Sequence, residues 1–207
     1  GLPIGSSIFF EASIFSIAGL LMVHFGSAVV AAHQSVISFT NVFYCLPLSI
    51  AMASTIAVGY EVGADRHKEA IQYSYISRIL AIVIAVLICA FTFTHMESIS
   101  ALFTNDEEVY NLIYRFLGYG VFFSAFDAIG TPLQGILRGY KDVKIVFYIS
   151  LISYWGVCFP IAYILANNPN YGPFGVWIGL LASVIVAGIL FTIRTWYIQH
   201  KQVPIKA

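Results

Sequence analysis

The sequence predicts an all-α protein that crosses a membrane six times. Three observations carry that expectation. The chain is 59% hydrophobic and only 10% charged, whereas a soluble domain is about 25% charged. Its mean hydropathy is +0.85. Apolar stretches of about 20 residues, the length a helix needs to cross a bilayer, recur between short charged connections.

The spans are placed, in order, at 2–23, 28–58, 72–94, 109–137, 145–166 and 173–198. The second and fourth exceed what a bilayer requires, so they are expected to tilt or to project beyond it. They also contain Pro47 and Pro132. A transmembrane helix tolerates proline because neighbouring helices and waters satisfy the freed carbonyl, and either proline can bend its helix. No internal repeat and no soluble domain stand out, so residues 1–207 read as a single transmembrane lobe.

Charge sets the orientation. With Gly1 in the cytoplasm, the connections on that side hold Arg66 and Lys68, then Arg138, Lys141 and Lys144, then Arg194, Lys201 and Lys206, with Arg78 near the inner end of the third span. The outer connections hold Arg115 against Glu97, Asp106, Glu107 and Glu108. Basic residues concentrate on the cytoplasmic side of membrane proteins. Both termini of the chain are therefore expected in the cytoplasm, with the protein in the cell inner (plasma) membrane. An even number of spans means that a second copy joined end to end would enter the membrane in the same direction. The start at Gly1-Leu-Pro, without Met or a basic n-region, is expected of one lobe of something longer.

Several chemistries find little support. Cys45, Cys89 and Cys158 lie within apolar spans without metal-ligand or CxxC spacing, and read as small buried hydrophobes. Among the five histidines only His33 is embedded in a span. The basic stretch from Arg138 to Lys144 is explained by topology, so no nucleic-acid partner is expected. An intramembrane protease needs a Ser–His pair or paired aspartates, and the spans hold a single aspartate. The chain is not expected to be an enzyme.

Two carboxylates interrupt the apolar spans: Glu11 in the first and Asp127 in the fourth. Placing such a group in hydrocarbon costs from roughly 2.5 kcal/mol upward, so intramembrane acids mark functional sites. At about 1.5 Å per residue, Glu11 lies roughly 15 Å and Asp127 roughly 16 Å from the cytoplasmic face. Both depths are near the middle of a hydrocarbon layer about 30 Å thick. Two acids at matching depth on different helices can share one cavity and handle cations or protons.

The motifs then become recognisable. Gly1-Leu-Pro-Ile with Phe9-Phe10-Glu11, Val30-Ala-Ala-His-Gln34 followed by Leu46-Pro-Leu-Ser49, Gly59-Tyr-Glu-Val-Gly63, Gly135-Ile-Leu-Arg-Gly-Tyr-Lys-Asp142 and Trp177-Ile-Gly179 occur in order along the chain. Together they resemble helices seven to twelve of the multidrug and toxic compound extrusion (MATE) family, and within it the bacterial NorM-type branch. The resemblance implies a twelve-helix secondary transporter of two six-helix lobes, this chain being the C-terminal one. It implies export of cationic amphipathic drugs in exchange for Na⁺ or H⁺, with the N-terminal lobe and the lipid bilayer as partners.

Residue by residue, Glu11 and Asp127 match the family's cation-site acids and would be the Na⁺ ligands of a sodium-coupled member. Gln34 and Phe15 match groups at the central cavity, and Asp106 with Asn105 an external acid that meets cationic drugs. Four residues before Asp127, where some NorM-type members place a tyrosine near the ion, this chain has Phe123, which removes a hydroxyl ligand. Na⁺ and H⁺ both remain open. The alternative reading is a six-span channel or membrane scaffold subunit.

Overall fold

The structure is a computed structural model that describes residues 2–202. Gly1, which opens the first motif, and Lys206, one of the basic residues assigned to the inner side, lie outside the described residues. The described chain is almost wholly helical and contains no strand. Its elements are α1 (Leu2–Val23), α2 (Ser27–Gly63), α3 (His67–Thr94), α4 (Met96–Phe103), α5 (Glu107–Gly139), α6 (Val143–Ala166) and α7 (Phe174–Gln202). Five of these, α2, α3, α5, α6 and α7, are long and apolar enough to cross a membrane. The apolar part of α1, Ile8–Val23, is shorter.

Each expected span thus coincides with a helix, while α4 was not anticipated. It falls within an expected outer connection, where Met96, Ile99 and Ser100 lie on one face and are buried while Leu102 is exposed. That spacing is the mark of a short helix lying on a bundle. Helices α2 and α5 also run on past the C-terminal ends of their expected spans. Membrane thickness limits the apolar stretch and not the helix, which runs on until the backbone turns left-handed. The turns come at Asp65 (φ 58°) and Lys141 (φ 63°). Just beyond them, Arg66 N–H donates to the Glu61 carbonyl at 2.9 Å and Asp142 N–H to the Leu137 carbonyl at 3.0 Å. Both close helix ends in the Schellman manner, with non-glycine residues where glycine is usual.

Pro47 and Pro132 lie inside α2 and α5, and both helices continue through them. Helix α6 behaves differently. Residues Leu151–Cys158 form a π-helix immediately before Pro160. Proline lacks an N–H and its ring crowds the carbonyl four residues back, and widening the helix to i→i+5 bonding relieves that crowding. The wider turn buries Tyr154 and sends Trp155 toward α1, where its indole N–H donates to the Phe10 carbonyl at 3.3 Å.

Helices inside a bilayer gain little from excluding water from one another, so close packing has to hold them together. The tightest approach is α2 against α5. A Cβ built on Gly135 would stand 2.2 Å from the Ala51 carbonyl oxygen. Beside it, Thr55 Oγ1 donates to the Gly135 carbonyl at 3.0 Å. Two apolar clusters fill the bundle. One gathers Ile14, Met22, Val36, Phe116, Phe123 and Trp177, and the other Val58, Leu133, Ile136, Leu137 and Phe191. Along α5 the first cluster ends at Phe123 and the second begins at Leu133. Asp127 falls in the interval.

Candidate functional site

A cavity of about 470 Å³ opens in that interval, lined chiefly by α1, α2 and α5. Its residues repeat at helical spacing. From α1 come Ile8, Glu11, Ala12 and Phe15; from α2, Ile37, Thr40, Asn41, Tyr44, Pro47 and Leu48; from α5, Phe123, Ser124, Asp127, Thr131, Gln134 and Arg138. Steps of three and four residues put side chains on one face of a helix. The α5 face is therefore a polar stripe that runs from Ser124 to Arg138.

Local geometry holds the acids in place. Thr131 lies one turn beyond Asp127, and its hydroxyl donates to Asp127 Oδ1 at 3.3 Å. Gln134 is buried, and its Oε1 accepts from Arg138 Nη2 at 3.1 Å. Glu11 sits next to Phe10, whose carbonyl receives both the Trp155 indole and, at 2.9 Å, the Ser13 hydroxyl. Phe15 and Phe123 meet edge to face with centroids 5.9 Å apart, closing one wall in apolar surface. Asn41 and Tyr44 supply further oxygen donors from α2. Carboxylate, hydroxyl and amide oxygens suit hard cations. Among the described residues no group of three or more His, Cys, Asp and Glu could hold a metal ion.

Of the residues singled out in the sequence, the structure brings Glu11, Asp127 and Phe15 to one cavity. Gln34 does not line it. It is exposed on α2 two turns above Asn41, while its neighbour His33 is buried edge-on against Trp177 with ring centroids 5.4 Å apart. Asp106 and Asn105 are exposed at the start of α5, 21 residues before Asp127, or roughly 30 Å along the helix axis. There Asp106 Oδ1 accepts from Val109 N–H at 3.0 Å, as the helix N-cap. Phe123 stands in the cavity without a hydroxyl, and Tyr44 brings a phenol to the same space from the neighbouring helix.

Arg138 is the residue that the sequence reading assigned elsewhere. Topology accounted for it as one basic residue among several at the inner end. Yet it lines the cavity that holds both acids. The 3,4,3,4 spacing of Ser124, Asp127, Thr131, Gln134 and Arg138 was legible and would have placed all five on one face. The remaining arginines near that end are engaged away from the cavity. Arg66 Nε lies 2.5 Å from Glu61, Arg194 Nε lies 2.6 Å from Asp142, and Arg78 donates to Gln199 at 2.7 Å. At the opposite end Arg115 stacks over Phe174 at 4.3 Å.

Comparison with known proteins follows the same lines. The family model described as MatE matches residues 3–164. A probable multidrug resistance protein NorM from Halalkalibacterium halodurans is 44% identical over 201 residues, 97% of this chain and 44% of its own length. One from Geobacillus kaustophilus is 45% identical over 194 residues, 94% of this chain and 43% of its own. The chain spans a little under half the length of these curated relatives. Among solved structures, a eukaryotic MATE transporter, AtDTX14, superposes with TM-score 0.89 at 24% identity, over 97% of this chain and 46% of that one. The Vibrio cholerae MATE transporter VcmN in the bent form does so with TM-score 0.86 at 20% identity, over 97% and 45%. At those identities the likeness is one of fold.

Proposed function

The chain belongs to the MATE family of transporters, and from that membership we propose that it forms the C-terminal lobe of a secondary multidrug exporter. The exporter exchanges cationic or amphipathic compounds for Na⁺ or H⁺ across the inner membrane. The observation that carries the reading is the meeting of Glu11 and Asp127 in one cavity with aromatic walls. Acids inside a membrane are costly and belong to ion pathways. Flat cations gain from aromatic faces such as those of Phe15, Phe43 and Tyr44.

Glu11 and Asp127 bind the coupling ion, with Thr131 orienting the Asp127 carboxylate and a Tyr44 or Asn41 oxygen at hand to complete a shell. The same negative charge attracts a cationic drug. Ion and drug then compete, and each shifts the transporter toward the state that it binds better. The lobe presents this site to an N-terminal lobe, and rocking of one bundle against the other opens it to alternate sides. Gln34, on the α2 face above Asn41, and Asp106 with Asn105 at the outer end meet drugs on their way out. Arg66 and Lys141 face the cytoplasm, as do both ends of the chain.

The decisive experiment uses Glu11→Gln and Asp127→Asn in the intact transporter. Each should cut ion-driven efflux of a cationic dye at least tenfold while the protein still accumulates in the membrane. Near-normal efflux from both variants would overturn the reading.

A further inference from the structure

The cavity holds a third charge that the exchange just described does not use. Arg138 lies on the same face of α5 as Asp127, three turns further on, and lines the cavity together with both acids. Among the described residues it takes part in no ion pair, unlike Arg66 and Arg194. Among the described residues its side-chain hydrogen bond is the one from Nη2 to Gln134 Oε1 at 3.1 Å, and its Nε is buried without a hydrogen-bond partner. Gln134 is itself 4% exposed. A neutral amide thus fixes the guanidinium and leaves its charge unspent. An arginine stays protonated in any such setting, so that charge is a permanent feature of the cavity.

We propose that Arg138 is the fixed counter-charge of the Glu11–Asp127 pair, which makes the cavity selective for monovalent over divalent organic cations. The proposal rests on the reading of this cavity as the drug site. With both acids ionised, the three side chains sum to one negative charge, and one monovalent cation neutralises it. A coupling ion and a singly charged drug then exclude each other by charge as well as by space. Without Arg138 the same cavity would carry two negative charges and would admit a dication, or drug and ion together. Both acids and Arg138 line this one cavity, so the charge of each acts on whatever cation the cavity holds. At an effective dielectric constant of about 20, a unit charge ~10 Å away alters a binding constant on the order of tenfold for each charge on the ligand.

A matched pair of dyes tests this. Ethidium and propidium share one aromatic cation, and propidium carries an additional quaternary ammonium. Their binding to the intact transporter is measured by fluorescence for wild type, Arg138→Gln, Arg138→Lys and the Glu11→Gln/Arg138→Gln double variant. Wild type should favour ethidium. Arg138→Gln should shift the propidium-to-ethidium affinity ratio toward propidium on the order of tenfold. Arg138→Lys should keep the wild-type ratio, and the double variant, again at one net negative charge, should return to it. Arg138→Met serves the same comparison if Arg138→Gln does not accumulate.

An unchanged ratio in the uncharged variants, or an equal shift in Arg138→Lys, would overturn the role of Arg138 if ethidium binding still depends on the acids. Ethidium binding indifferent to both Glu11→Gln and Asp127→Asn would instead overturn the drug-site reading, and this proposal with it.

Discussion

The indole N–H of Trp155 donates to the main-chain carbonyl of Phe10 at 3.3 Å, tying the π segment of α6 to the turn of α1 that carries Glu11. The rings of the same two residues meet edge to face at 6.0 Å. Beside Glu11, Ile8 and Phe9 of α1 are exposed, and this link helps to set the position of Glu11.

Trp155→Phe keeps an aromatic ring and removes the donor. A hydrogen bond of this kind contributes about 0.5–1.5 kcal/mol. In a domain of about 200 residues that corresponds to a fall in Tm of roughly 2–4 °C per kcal/mol. Binding of a cationic dye should weaken several-fold as Glu11 loses its fixed place. A variant with unaltered Tm and unaltered dye affinity would show that the link does neither job.

The contact between α2 and α5 sets up a comparison. At Gly135 an added Cβ would meet the Ala51 main chain at 2.2 Å, which can yield only if the helices part. At Gly120 it would meet Val36 Cγ1 at 3.0 Å, a side-chain methyl that can turn away. Overpacking that moves backbone costs about 1–3 kcal/mol. Gly135→Ala should therefore lower thermal stability in detergent clearly more than Gly120→Ala. The reverse order would contradict the packing described here.

How much of this was legible in the sequence follows from what each residue contrasts with. Glu11 and Asp127 stand out because a charge within an apolar run is costly, which outweighs a mere packing role held by nearby hydroxyls, and equal depth already suggested a shared space. Arg138 was hidden by having such an explanation, since basic residues at that end are expected on topological grounds. Tyr44, Thr131 and Gln134 are ordinary polar residues of membrane helices, visible only as a face once periodicity is traced. The π segment of α6 left no local sign beyond Pro160, because its register depends on which neighbours Tyr154 and Trp155 find. Helix α4 was missed because one apolar face over 8 residues is too short to stand out beside spans three times as long.

Topology supplies the third prediction. Arg66 pairs with Glu61 and Arg194 with Asp142, at the end of the bundle where α2, α5 and α7 finish. Arg115 and Asp106 lie at the opposite end. The excess of basic residues predicts that the first end is cytoplasmic. In a cysteine-free background, Asp106→Cys should react with a membrane-impermeant maleimide added outside, and Lys141→Cys should not. Labelling of Lys141→Cys alone would invert the orientation and the direction of export.

The last prediction concerns the chain by itself. It covers 44% of the length of a relative to which it is 44% identical, and the cavity is built on helices whose neighbouring faces stay open. Phe9 is 67% exposed two residues from Glu11, and Asn41 is exposed at the cavity wall. On the proposed function this surface meets the N-terminal bundle, since alternating access works by two bundles rocking around a fixed site. The 207-residue chain expressed alone should insert and bind ethidium weakly, with no ion-driven accumulation of dye in liposomes. Co-expression with the N-terminal half of a NorM-type relative should restore dye transport, and should do so only with Glu11 and Asp127 intact. Transport by the purified chain alone would point to two copies of this lobe assembling into the exporter, and would shift attention to how α1 and α2 of each copy meet.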